Sequence, residues 1–125
     1  FDGPAGAYCD FLEKSFPYMP YSRHHLCNHL ISVDGDRGEG EVYAIAFHLI
    51  PDRQGGWIED MMAVRYIDHY SCETDGKWRF AKRVVTYDFR VQRAYTGAIP
   101  DISHPPGDTS YAKLASALFA WGPRA

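Results

Sequence analysis

Four long runs patterned for β-strands, tied together by tight turns, constrain this chain more than any other feature. The Thr74-Asp75-Gly76 turn is the clearest of these ties. An Asp-Gly pair between two apolar-patterned runs is the strongest short-range signal for a hairpin, because glycine accepts the positive φ that the turn demands. It joins a run over residues 61–73 to one over 77–91, the latter long enough to expect a bulge. Upstream, residues 21–33 and 39–50 form a second pair of runs around a DGDRGEG connection. Residues 51–56 (PDRQGG) read as a loop between the two pairs. Hairpins force antiparallel pairing.

One helix precedes these strands. In residues 4–16, Ala5, Tyr8, Phe11, Leu12 and Phe16 recur at helical spacing. Asp2 is the expected cap, Pro4 suits the first turn, and Pro17 and Pro20 end the segment. Beyond Tyr95 the chain is rich in proline and turn formers. A short apolar stretch over 112–121 is compatible with a terminal helix. The fold class expected is therefore α+β: a curved antiparallel sheet enclosing an apolar hollow, with helical cover. One helix is little cover for four long strands, so a further element or a partner is expected to complete it.

Length and composition agree with one soluble domain spanning residues 1–125. No apolar run approaches the roughly 20 residues of a membrane span. The formal net charge of -3 gives no reason to expect a nucleic-acid surface, although the fourth strand carries a basic run of Lys77, Arg79, Lys82, Arg83, Arg90 and Arg93. Cys9, Cys27 and Cys72 are odd in number and scattered, which speaks for a reducing compartment, here expected to be cytoplasmic.

The chemistry is expected in the first strand. Simple alternation puts His24, Leu26, Asn28 and Leu30 on one face, and His25, Cys27, His29, Ile31 and Val33 on the other. A neutral imidazole suits proton abstraction near pH 7, and Asn28 would hydrogen-bond a substrate oxygen beside it. The plain alternative is that both are ordinary strand residues. His25 and His29 lie two pleats apart but lack the further ligands a zinc ion needs, so no metal is expected. On the third strand Tyr66 and Asp68 share a face, with Tyr70 beyond; on the fourth, Tyr87 and Asp88 lie on opposite faces. Tyr66 is a candidate hydrogen-bond donor; Asp68, Tyr87 and Asp88 are candidate polar supports. Against that, Asp68 would simply pair with Arg65 or Arg83. Alternation gives Val64, Tyr66 and Phe80, with Leu26 and Leu30, as an apolar lining. No phosphate loop, nucleophile elbow or helical HExxH is present.

Taken together, FDGPAGAYCDFLE, RHHLCNHLISVDGDRGEGEVYAIAFH and VRYIDHYSCETDGKWRFAKRVVTYDF resemble the SnoaL-like branch of the nuclear transport factor 2-like superfamily. The resemblance covers about residues 1–91. It implies a cone-shaped fold and relatives such as scytalone dehydratase-like, bile acid 7α-dehydratase-like, dehydrochlorinase-like and polyketide cyclase-like enzymes. It also implies that His24 is a general base whose aspartate partner lies in an N-terminal helical segment not represented in residues 1–125. The activity implied is a cofactor-free lyase or isomerase acting on a hydrophobic small molecule. The alternatives are a non-catalytic binding or oligomerising domain of the same fold, or the small subunit of a ring-hydroxylating dioxygenase. A homo-oligomer, trimer or dimer, is expected through the outer sheet surface, with neither nucleic acid nor membrane as partner.

Overall fold

A computed structural model describes residues 1–99, together with Thr109, Lys113 and Leu114. Of the expected terminal helix over 112–121, only Lys113 and Leu114 are among the described residues. Helix α1 (Ala5–Ser15) and a single 3-10 turn (Phe16–Tyr18) lead into strands β1 (Tyr21–Asp34), β2 (Arg37–Pro51), β3 (Trp57–Cys72) and β4 (Trp78–Tyr95). They form one antiparallel, curved sheet in the order β1-β2-β3-β4. This is the sheet that the two hairpins and the intervening loop predict.

The turns are tighter than the sequence implied. Asp34 pairs with Arg37, so Gly35-Asp36 alone makes the first hairpin, with Gly35 at φ +56°. The rest of the DGDRGEG connection belongs to β2. Gly76, at φ +73°, closes the second hairpin, where its N–H donates to Glu73 O at 2.8 Å.

The helix also departs from expectation. Pro4, with extended backbone, is the residue at its N-cap, and no side chain caps it. That leaves Asp2 upstream of the cap. No residue of α1 is buried. Its Tyr8 and Phe11 instead stack with Phe1, ring centroids lying 5.3 to 6.3 Å apart.

Burial is concentrated in the two central strands. Val42, Ala44, Val64 and Tyr66 form the core cluster, with Met62 packed against it. β1 and β4 contain no buried residue. At roughly 3.3 Å per residue, an 18-residue strand would run roughly 60 Å if straight, longer than a domain of this size is wide. The sheet therefore has to twist and bend, and the register shows where. The β2–β3 ladder is continuous from Arg37↔Ser71 to Pro51↔Trp57. The outer ladders are not. In β1, Leu26 faces Ala44 and His29 faces Val42, so Cys27 and Asn28 together oppose Tyr43. In β4, Ala81 and Asp88 are the extra residues.

Candidate functional site

The bulge at Cys27–Asn28 decides what the inner face of the sheet carries. Before it, His24 and Leu26 point with Ala46 and Ala44. After it, His29, Ile31 and Val33 take that side, opposite Val42, Gly40 and Gly38. Leu30, opposite Glu41, is carried to the other face. Simple alternation therefore fails beyond Leu26. Leu30 does not share the face of His24, and Asn28 sits exposed in the bulge rather than beside it.

The inner face holds a groove of about 590 Å³. One wall is β1, with His24, Leu26, His29 and Ile31; the other is β4, with Trp78, Phe80 and Arg83. Val42, Tyr66 and Tyr70 form the floor. Phe80, expected as lining, is there. Val64 lies beneath, in the core cluster. Tyr87 pairs with Val64 on the inner side but is largely exposed. Asp88 is on the outer face, its carboxylate 3.1 Å from Arg65 Nε, and so gives the groove no support. The closed hollow expected from the sequence is not formed by the described residues: Leu26 is 68% exposed and Phe80 60%. Nothing on α1 is buried against the sheet, so the described residues give the walls no roof.

Three polar arrangements lie in or behind this groove. At one end, His24 Nδ1 lies 3.1 Å from Tyr66 Oη. Partial burial lowers the pKa of His24 and raises that of Tyr66, so both favour the neutral form at pH 7. Behind His24, the His48 ring stands edge-on to it at 5.4 Å. His48 Nδ1 is 2.8 Å from Ser22 Oγ. Burial, then the neighbouring His24, lower its pKa, and Asp60 only partly offsets them. Asp60 is 2% exposed and bound through both oxygens by Arg90 at 2.7 and 2.6 Å.

At the other end, Asp68 is 1% exposed and accepts two hydrogen bonds from Arg83, at 2.7 and 2.8 Å, and one from Tyr70 at 3.0 Å. This is the Arg83 pairing that the plain reading of Asp68 anticipated. The Arg83 guanidinium also lies over the rings of Tyr66 and Phe80, at 4.3 and 4.2 Å. The basic run of β4 is likewise neutralised at four positions, where Arg79, Arg83, Arg90 and Arg93 bind Asp75, Asp68, Asp60 and Glu59. Among the described residues, no group of three or more His, Cys, Asp or Glu is placed to hold a metal ion.

Sequence reasoning passed over His48, weighed His29 only as a metal ligand, and saw Arg83 only as a partner of Asp68 within a basic run. His48 had a signal: it alternates with Ala44 and Ala46 in an otherwise apolar strand. His29 had none, because nothing in the sequence marks the bulge.

The sequence pattern on which this groove is built matches the SnoaL-like domain over residues 1–84. The chain belongs to the SnoaL-like family. Two solved structures share the fold of this SnoaL-like chain. It is similar to the Kfla4162 protein from Kribbella flavida, with 22% identity and a TM-score of 0.62, covering 70% of this chain and 60% of that one. It is also similar to an aspartate-to-asparagine variant of Rv3472 from Mycobacterium tuberculosis, a protein of unknown function. There the identity is 23% and the TM-score 0.53, covering 66% of this chain and 46% of that one. The SnoaL-like chain thus spans 60% or less of the length of these two structures. No curated protein matches it. No helix among the described residues is long and apolar enough to cross a membrane.

Proposed function

We propose that this SnoaL-like chain supplies the sheet of a cofactor-independent lyase or isomerase, of dehydratase or cyclase type, with His24 as general base. The observation that carries the reading is the 3.1 Å contact between His24 Nδ1 and Tyr66 Oη at the end of an apolar groove. If Nδ1–H donates to Tyr66, the Nε2 lone pair is free to take a proton, and burial keeps the ring neutral enough to do so. Tyr66, accepting from His24, then has its own O–H left to donate to a developing oxyanion. Such a donor in a water-poor site is worth about 3 kcal/mol. Leu26, Val42 and Phe80 offer apolar surface to a hydrophobic substrate.

A second reading, a non-catalytic binding or oligomerising domain, is favoured by the apolar side chains exposed on both faces of β4, including Phe80, Val84, Val85 and Phe89. A dimer or trimer that buries these would also roof the groove. Light scattering showing a single monomeric species would remove that reading.

The enzymatic reading is tested by deuterium uptake from heavy water into a panel of apolar cyclic ketones, followed by mass spectrometry. Wild-type protein is expected to catalyse uptake above buffer, and His24→Ala to lose it. Equal uptake by both proteins takes His24 out of the mechanism.

A further inference from the structure

The far end of the groove has a construction of its own. Gly38 and Gly40 lie in β2 on the inner face, where a strand normally presents side chains. A Cβ at Gly40 would come within 2.9 Å of Leu30 O and 3.1 Å of the Tyr70 ring; one at Gly38 would sit 3.5 Å from Tyr70 and from Trp78. The two glycines are therefore a notch that seats the Tyr70 ring across β2. Through it, a β3 side chain reaches β1, and Tyr70 Oη lies 3.4 Å from His29 Nε2. The result is a polar belt across all four strands: His29, Tyr70, Asp68 and Arg83. Only the bulge in β1 brings His29 to that side.

The belt has a defined chemistry. The single Tyr70 proton goes to Asp68 at 3.0 Å. Towards the groove the Tyr70 oxygen therefore offers a lone pair. Its present partner there, His29, is at the long limit of a hydrogen bond. Asp68 and Arg83 cancel each other's charge, so the belt presents no net charge to attract an ion. Its complement is a neutral hydroxyl. The His24 and His29 positions face Ala46 and Val42, four residues apart on β2. At roughly 3.3 Å per residue that separates the two ends by about 13 Å, with Leu26 and Val42 between.

The geometry points to a second recognition station on Tyr70, which takes a neutral hydroxyl of the ligand; the ligand is thus a rigid apolar body with an oxygen function at each end. This deepens the proposed function, since it names the class of molecule for the same groove. Tyr70 is a specificity residue in it and takes no part in proton transfer.

Binding constants by calorimetry test it with two probes: biphenyl carrying a para hydroxyl on each ring, and biphenyl carrying one. The doubly hydroxylated probe is expected to bind about tenfold tighter, the gain of one good hydrogen bond. Tyr70→Phe keeps the ring in its notch and leaves Asp68 on Arg83, and should cut the advantage to the statistical factor of about two. Gly40→Ala, which displaces the ring, should shrink it as well. A tenfold advantage that survives Tyr70→Phe overturns the proposal, as does equal binding of the two probes to wild-type protein. So does tighter binding when a carboxylate replaces the second hydroxyl. The readout is independent of turnover. Loss of deuterium uptake in His24→Ala alongside a Tyr70-insensitive ratio sinks only the second station; the reverse result sinks only the general base.

Discussion

The central and outer strands of this sheet solve different problems. β2 and β3 share an unbroken ladder and hold every buried residue of the core cluster, including Val42, Ala44 and Val64. β1 and β4 bury nothing, interrupt their ladders with extra residues, and supply the groove with its imidazoles and its arginine. Burial is thus concentrated in the floor, while the walls stand exposed. The exception is the Asp68–Arg83 pair, which ties a buried floor carboxylate to a wall.

That exception is where the contrast breaks hardest. Arg83→Met strands Asp68 without its counter-ion, and should cost about 3 to 5 kcal/mol in urea unfolding despite the exposed position of Arg83. A loss under 1 kcal/mol would show that floor and wall are energetically separate. Next in size, Leu49→Ala in the central strand β2, where the side chain is 1% exposed, should cost about 2 to 5 kcal/mol. Leu30→Ala in the outer strand β1 should stay within about 0.5 kcal/mol. Similar values for both would erase the distinction.

Acid titration sharpens the contrast at the joint between the two regions. His24 and His48 have pKa values below the ordinary 6.5, so the unfolded chain binds more protons than the folded one as pH falls past that value. Their contribution is complete above about pH 6.5 and is lost on acidification towards the lowered folded values. The urea midpoint should drop over that interval, and less so in His48→Gln. A midpoint insensitive to that substitution contradicts the assignment. A small effect is also expected from deleting Asn28. This removes the extra residue while leaving His29 opposite Val42, so stability should change by about 1 kcal/mol or less, and the His29–Tyr70 contact should persist in imidazole NMR spectra.

The same contrast explains what was legible in the sequence. Asp75-Gly76 and Gly35 fixed the hairpins because turn chemistry is local. Tyr66, Asp68 and Tyr70 fell on one face as read, since β3 carries no extra residue of its own. His24 and Leu26 lie before the bulge in β1 and were placed correctly. Asn28 and Leu30 come at or after it and were not. Asp88 is itself an extra residue, and its partner Arg65 lies on the neighbouring strand β3, a contact that the periodicity of one strand cannot report. The helix was found, but its failure to bury a face depends on tertiary contacts rather than on its own apolar spacing.

One strand here encodes two linings. With the additional residue at Cys27–Asn28, β1 shows His29, Ile31 and Val33 to the groove. Were it accommodated nearer the Asp34 end, the same segment would show Asn28, Leu30 and Ser32 instead, exchanging an imidazole for an amide. Preference for a bulge site depends on local backbone energetics, so a substitution at the hairpin tip would change the side chains that line the groove without altering any residue of the core or the His24–Tyr66 pair.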